Sequence, residues 1–381
     1  MITLKGIAWN HTRGFISVAA TAQRYEELNP GVSIIWEKRS LQAFADAPLK
    51  VLAENFDLII MDHPHAAIAA REKVLLPLNE YLSADFLEDL AANSVGGSHQ
   101  SYNIDGQQWT LATDAATPIA TWRPDLIEQY GIELPCTWED VLRLAEQGYV
   151  SPSLFPIDVL MNTYMFCQAH GEAPFTSQAH LVQPEILKAA LTSLRELATR
   201  CAPECLARDP IRTAEYMSRT YDKAAAYCPF AYGYSNYSRA HYADHLLKAG
   251  GLVSFNGKAL RSTLGGAGIA VSAKSQHREI AVDYARFTGS AVVQKGIYTQ
   301  AGGQPGHRAA WLDGAINADS HDFFKDTLDT LDNAFLRPRY AGYMSFQDAA
   351  TPVAHGAIAG KINIDRAAEQ LNELYLRSLT Q

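Results

Sequence analysis

The sequence lacks long apolar runs, excess positive charge and paired cysteine motifs, and each absence excludes a class of protein. No run of 18 apolar residues occurs in the 381 residues, so no transmembrane helix is predicted. The formal net charge of −9 argues against a nucleic-acid partner. No Cys-x-x-Cys pair and no zinc-finger spacing of Cys and His is present. The composition, 48% hydrophobic and 19% charged, is that of a folded globular protein.

The sequence contains five cysteines, of which Cys201 and Cys205 are close enough in sequence to form a small disulfide. We expect free thiols, because no export signal is visible in the first residues. A signal peptide needs an apolar core of about 7–15 residues, and the apolar run from Met1 is interrupted at Asn10. Two readings stay open: the protein is cytoplasmic, or a leader was removed and the protein is periplasmic.

Strand and helix patterns alternate over the first 60 residues. Helical spacing of apolar residues covers 15–28, and Asn29-Pro30-Gly31 ends that helix. The whole pattern predicts a parallel sheet with right-handed crossovers. Its predicted elements are a strand over 2–9, a helix over 15–28, a strand over 32–37, a helix over 41–53 and a strand over 56–61.

Polar and aromatic side chains follow the carboxyl ends of these predicted strands. Ligands of open α/β sheets bind beyond that edge. Each candidate also has a structural alternative to ligand binding. The loop after the first strand could be a helix cap or a solvated turn, and Arg39 after the second strand could be an ordinary surface charge. The binding candidates are Trp9, Asn10, His11, Arg13, Arg39, Asp62 and His63.

A short segment contains three side-chain types that bind metals. Asp62, His63 and His65 have suitable donor atoms, but a divalent site needs a third or fourth ligand at fixed geometry, which the sequence does not show. We therefore predict that the protein uses no metal and no cofactor.

An aromatic segment lies in the second half of the chain. Phe230, Tyr232 and Tyr234 alternate as in a strand, and Pro229 disfavours a helix. Phe230 is expected in the core. A tyrosine combines a ring face with a hydroxyl that needs a partner, which suits a polar ligand. Tyr232 and Tyr234 are predicted ligand contacts, with Tyr237 as a further candidate; the alternative is an aromatic core stripe.

Several segments, in order along the chain, together resemble the family 1 extracellular solute-binding proteins of ABC importers, the class that includes maltose-binding protein. The most specific match is 130–140, which contains Gly131, Pro135, Thr137-Trp138 and two acidic residues in the family's order. The other matching segments are 15–32, 57–61, 109–127, 265–288 and 301–308.

The resemblance implies a type 2 periplasmic-binding-protein fold of class α/β. Two Rossmann-like lobes with mixed, mostly parallel sheets would hold a ligand in a cleft between them and close by a hinge. The first lobe is expected over 1–112 with 266–320, and the second over 113–265 with 321–381. Such proteins are usually monomers.

The resemblance also implies a function and further binding residues. The protein would capture a small polar ligand, a carbohydrate or related molecule, for an ABC permease, with no nucleic-acid partner and no catalysis. Asp114 would bind ligand hydroxyls or stabilise the hinge, Gly265 and Gly266 would form a hinge or approach the ligand, and Arg308 and Arg337 would bind charged groups. The alternative is a cytoplasmic enzyme or sensor on the same fold, with thiaminase-like covalent chemistry at Cys228.

Overall fold

The computed structural model describes residues 1–46 and 48–380, which divide into two compact units. Unit 1 comprises Met1–Ala116 and Leu264–Ser320, and unit 2 comprises 117–263 and 321–380. The sequence-predicted lobe bounds place the first crossing after residue 112. Residues 113–116 stay in unit 1 because they continue a strand of its sheet.

The strands are short apart from the first two and the last. They are β1 (Ile2–Trp9), β2 (Val32–Arg39), β3 (Leu58–Met61), β4 (Asn103–Ile104), β5 (Gln107–Gln108), β6 (Leu111–Ala116), β7 (Pro118–Trp122), β8 (Tyr227–Tyr232), β9 (Lys248–Gly250), β10 (Ser254–Phe255), β11 (Lys258–Ala259) and β12 (Gly265–Val271).

Helices make up most of the remaining regular structure. They are α1 (Ser17–Leu28), α2 (Leu41–Asp46), α3 (Leu49–Asn55), α4 (Ala66–Glu72), α5 (Ala84–Ala92), α6 (Ser98–Ser101), α7 (Pro124–Tyr130), α8 (Trp138–Glu146), α9 (Pro156–Ala169), α10 (Pro184–Arg200), α11 (Pro210–Arg219), α12 (Arg278–Gly289), α13 (Ala291–Val293), α14 (Arg308–Trp311), α15 (Gly314–Asp319), α16 (Phe323–Asp332), α17 (Tyr343–Ile358) and α18 (Ile364–Ser378). In the described part of the chain, none of them is long and apolar enough to cross a membrane.

Unit 1 is built on a mixed sheet in the order β2-β1-β3-β12-β6. The first three strands are parallel, as the βαβαβ pattern predicts, and β12 runs antiparallel to both of its neighbours. The β3 strand is buried at every residue, as expected for an inner parallel strand. Helices α1 and α12 contribute side chains to the core on one face, where the Tyr284 hydroxyl lies 2.9 Å from the Thr21 hydroxyl.

Unit 2 is richer in helix and has an antiparallel sheet in the order β8-β7-β9. Its core is centred on α9, where every residue from 158 to 167 is buried. Trp138 and Phe166 meet at a ring-centroid distance of 4.8 Å, and Phe230 packs edge-on to Phe166 at 6.1 Å. The prediction that Phe230 is a core residue is therefore confirmed, since it is fully buried.

Three sequence-based details differ from the structure. The helix predicted over 41–53 is two helices, because Pro48 lacks the N–H that a continuous helix would need; residue 47 of that prediction lies outside the described residues. The run of small residues over 224–227 also predicts a strand, but the structure has a 3₁₀ turn at Lys223–Ala225, and the strand begins at Tyr227. The expectation of mostly parallel sheets is wrong for unit 2, because β7, β8 and β9 are all paired antiparallel.

Candidate functional site

The carboxyl ends of β1 and β2 meet at one edge of the unit 1 sheet. Trp9 and Arg39 are register partners at the ends of these two parallel strands, and the backbone N–H of exposed Asn10 donates to the Arg39 carbonyl at 2.7 Å. The topology therefore brings these three candidates together. We call this group, with Arg13 and Asp62, the unit 1 edge.

Arg13, one member of the unit 1 edge, forms a buried ion pair with Asp114. His11 is followed by one turn of π-helix, Thr12–Ile16, which carries Arg13. The Arg13 Nε donates to Asp114 Oδ2 at 2.7 Å, and its Nη2 donates to the other carboxylate oxygen. Both side chains are at most 5% exposed, and burial raises the pKa of Asp114 while Arg13 opposes that shift. Both oxygens of Asp114 thus already accept a hydrogen bond inside unit 1.

His11 is held in its neutral form. Its Nδ1 accepts the Arg13 backbone N–H at 3.0 Å, so the ring caps the turn that carries Arg13. Burial, together with the Arg13 charge, lowers the pKa of His11 to about 3. The cap that the sequence offered as an alternative role for this loop is present.

The guanidinium of Arg39 is also used within unit 1. Its Nη2 donates to the Ile60 carbonyl at 2.9 Å and its Nη1 to the Ala43 carbonyl at 3.2 Å. The charge lies 5.4 Å from the Phe44 ring, which in turn packs against Trp9 at 5.1 Å. Burial lowers the pKa of Arg39 to about 10, so the side chain remains a cation at neutral pH. Arg39 therefore connects the end of β2 to β3 through a hydrogen bond and remains part of the unit 1 edge.

The predicted metal-ligand types are arranged as a helix start. Asp62 accepts the His63 backbone N–H at 2.8 Å and lies 3.2 Å from His63 Nδ1. His63 and His65 are buried in the single 3₁₀ turn that follows. Across residues 1–46 and 48–380, no three His, Cys, Asp or Glu side chains are grouped so that they could hold a metal ion.

The glycine candidates lie where β12 comes close to β6. Gly266 has a φ of +105°, and a Cβ there would be 2.4 Å from the Asp114 carbonyl oxygen. This close approach explains the glycine without a ligand. Gly265 is buried in the same strand.

The arginine candidate Arg308 is the first residue of α14. Its Nη2 donates to the Ser94 carbonyl at 3.1 Å.

The three tyrosine candidates in unit 2 differ in burial. Tyr232 ends β8 and is half-buried, Tyr234 is 8% exposed and Tyr237 is 2% exposed. The Tyr237 hydroxyl donates to Glu215 Oε1 at 2.7 Å, and its ring packs edge-on to Tyr242 at 5.2 Å. Tyr237 thus has the contacts of a core residue, whereas Tyr232 keeps accessible surface.

The remaining arginine candidate is also buried in unit 2. Arg337 lies in the segment between α16 and α17, is 4% exposed, and its Nη1 lies 3.4 Å from the Gln347 amide oxygen.

Sequence reasoning missed a buried carboxyl in unit 2. Asp158 is 5% exposed and accepts the Ser153 hydroxyl at 2.9 Å. Burial, opposed by Ser153 and reinforced by the charge of Asp209, raises the pKa of Asp158 to about 8. The sequence does signal a helix start, because Pro156 suits the first helical position, and acidic residues such as Asp158 are favoured in the first turn. It contains no signal that Asp158 is buried.

The thiol considered for covalent chemistry is fully buried. Cys228 has no exposed surface, and burial raises the pKa of its thiol to about 12. A nucleophilic cysteine needs the opposite shift. All five cysteines, including Cys201 and Cys205, are free thiols.

Comparison with known proteins agrees with this architecture. Residues 8–155 match the family model of the bacterial extracellular solute-binding proteins. The maltose-bound MalE3 of T. maritima is 16% identical, with a TM-score of 0.84 over 100% of both chains. A ribitol-bound ABC transporter solute-binding protein from Agrobacterium radiobacter K84 is 18% identical, with a TM-score of 0.83 over 100% of this chain and 98% of that one.

A third solved structure is equally similar in fold. It is an ABC transporter solute-binding protein from Thermotoga lettingae TMO with bound α-D-tagatose, 16% identical, with a TM-score of 0.83 over 100% of both chains. The predicted resemblance to the solute-binding proteins of ABC importers is confirmed, and so is the predicted fold class, an α/β fold of the maltose-binding-protein type.

Proposed function

We propose that this protein is a binding receptor that captures a small carbohydrate or polyol outside the cytoplasm and delivers it to the membrane permease of an ABC importer. The observation that carries the proposal is the whole-chain likeness to sugar-bound and polyol-bound solute-binding proteins, joined to the family match over residues 8–155. A monomer without a nucleic-acid partner is part of the same proposal.

Candidate ligand contacts in unit 1 are the side chains of the unit 1 edge. Trp9 is an aromatic side chain at the strand end, but it is only 3% exposed and packs in the unit 1 core. The Arg39 guanidinium offers a positive charge, and the partners in its hydrogen bonds to Ala43 and Ile60 are backbone carbonyls, not carboxylates. Planar aromatic and guanidinium groups suit the C–H faces and hydroxyls of a sugar. In unit 2, the half-buried Tyr232 is the main candidate.

The test is a binding screen on the purified chain. Maltose, ribitol, D-tagatose and D-mannitol would be titrated by calorimetry and by thermal shift, with L-glutamate and citrate as non-carbohydrate controls. A ligand at one hundred times its Kd should stabilise the fold by about 2.7 kcal/mol. Stabilisation by a control and by none of the carbohydrates would contradict the carbohydrate class.

The enzyme alternative has its own test. Because Cys228 is buried and its thiol has a raised pKa, Cys228→Ser should leave carbohydrate binding unchanged. Wild-type protein incubated with iodoacetamide at pH 7.5 should show no alkylation at Cys228 by mass spectrometry. Rapid alkylation at that residue would instead support a reactive thiol.

A further inference from the structure

A small cavity lies behind the tyrosines of unit 2. Its volume is 20 Å³, slightly more than one water molecule needs, so it can take the hydroxyl end of a small group such as a hydroxymethyl. Its lining includes Tyr232, Tyr234 and Tyr237 from the β8 segment, and Thr213 and Ala214 from α11. Tyr232 and Ala214 keep partial exposure while the other three are buried, so the cavity approaches the surface beside Tyr232.

A buried hydroxyl in this cavity has no partner. Thr213 is 2% exposed, and in the described part of the chain no group accepts from or donates to its Oγ1. A buried hydroxyl without a hydrogen bond is destabilising, so a ligand or water that supplies one is favoured there.

Three other helical threonines of this chain use their hydroxyls within their own helix. Thr163, Thr327 and Thr351 each donate to the carbonyl four residues earlier, at 2.7–2.8 Å. Thr213 occupies the same kind of position in α11, yet its hydroxyl does not make that bond to Asp209. Its hydroxyl therefore remains available to whatever enters the cavity.

We propose that this cavity is a subsite that admits one hydroxymethyl group of the ligand, with the Thr213 hydroxyl as its hydrogen-bonding partner. The inference rests on the proposed function and extends it, because such a subsite selects six-carbon sugars and polyols over their five-carbon homologues. Tyr232 would cover the group once it is bound.

Two matched ligand pairs test the subsite on the full chain. D-glucose differs from D-xylose, and D-mannitol from D-arabitol, by one carbon with its hydroxyl. Calorimetric titration should show the six-carbon member of at least one pair binding about tenfold more tightly. Thr213→Val should reduce that preference to less than about threefold, and Ala214→Val, which fills the cavity, should do the same.

The matched control is Thr327→Val, because Thr327 is also 2% exposed but its hydroxyl is already bonded to the Phe323 carbonyl. That variant should keep the six-carbon preference. Equal binding within both pairs, binding of maltose but of no member of either pair, or an unchanged preference in folded Thr213→Val would overturn the subsite and leave the proposed function standing. Failure of the wild type to bind any carbohydrate would overturn both.

Discussion

Units 1 and 2 each bury a carboxyl group, and they stabilise it in different ways. Asp114 in unit 1 receives two hydrogen bonds from the buried guanidinium of Arg13. Asp158 in unit 2 receives one from the Ser153 hydroxyl, and in the described residues it makes no ion pair. The first arrangement keeps a charge beside the unit 1 edge. The second favours a protonated, neutral acid inside a helical core.

The largest expected effect comes from breaking the unit 1 pair. Arg13→Met leaves Asp114 buried without its cation, so we expect a loss of about 3–5 kcal/mol in the free energy of unfolding, measured by urea denaturation at pH 7. The control is Arg24→Met, which breaks an exposed pair with Glu27 and should lose far less stability. Equal losses in the two variants would contradict a special role for the buried pair.

The unit 2 acid predicts a pH effect of a definite sign. The pKa of Asp158 lies near 8 in the folded protein and near 3.8 when unperturbed, so its stabilising contribution is present below pH 4 and is lost as the pH rises toward 8. Relative to the Asp158→Asn variant, the free energy of unfolding of the wild type should fall by roughly 1.4 kcal/mol for each pH unit between about 4 and 8. Urea unfolding at pH 5, 6.5 and 8 measures the difference, and parallel curves would disprove it.

The tyrosine candidates of unit 2 differ in burial, and we expect their substitutions to differ in effect. Tyr232→Ala should weaken the binding of a carbohydrate identified in the screen about tenfold, which is about 1.4 kcal/mol, with an unchanged circular dichroism spectrum. Tyr221→Ala, also in unit 2 and 71% exposed in the wild type, is the control and should bind normally. Tyr234→Ala should weaken binding in the same direction and also lower the Tm, because Tyr234 is 8% exposed. Normal binding by Tyr232→Ala and Tyr234→Ala would assign both tyrosines to the core.

Helix caps provide a smaller contrast between the units. In unit 2, Thr137 and Asp140 form a complete capping box at the start of α8, whereas Ser83 in unit 1 caps α5 through a single 3.4 Å bond. Thr137→Ala should lower the free energy of unfolding by about 1 kcal/mol, and Ser83→Ala should lower it by less. Urea denaturation measures both changes. A larger loss in the unit 1 variant would reverse this order.

No effect is expected from metal removal. Dialysis against EDTA should leave both the Tm and the carbohydrate affinity unchanged, because Asp62 and His63 bond to each other at a helix start. A drop in Tm that zinc restores would return these side chains to consideration as ligands.

Local patterns accounted for the order of strands and helices over the first 60 residues, apart from the break at Pro48, and for fewer of the contacts. Thr137 with an acidic residue three positions later has the pattern of a capping box, and the apolar spacing after Phe15 has that of a helix. Both features are present. The pairing of Arg13 with Asp114 joins residues 101 positions apart, and no local pattern carries that information. Both residues were proposed as ligand contacts, because a charge after a strand has the same appearance in sequence whether its partner is a ligand or another side chain.

Burial was the other quantity that the sequence did not specify. The alternating aromatics predicted a strand, but they did not distinguish the half-buried Tyr232 from the buried Tyr237. That difference depends on Glu215 and Tyr242, which reach Tyr237 from neighbouring segments. The ligand-contact assignments remain predictions for the same reason.

The position of β12 in the unit 1 sheet has a consequence for synthesis of the chain. In the strand order, β12 lies between β3 and β6, yet it follows them in sequence only after residues 117–263. At about 5–20 residues per second, a ribosome needs on the order of 10 s to produce that interval. Until then β3 and β6 each lack a neighbour, and the high contact order of the sheet delays its completion. A nascent chain ending at residue 116 would therefore expose two strand edges to chaperones or to aggregation.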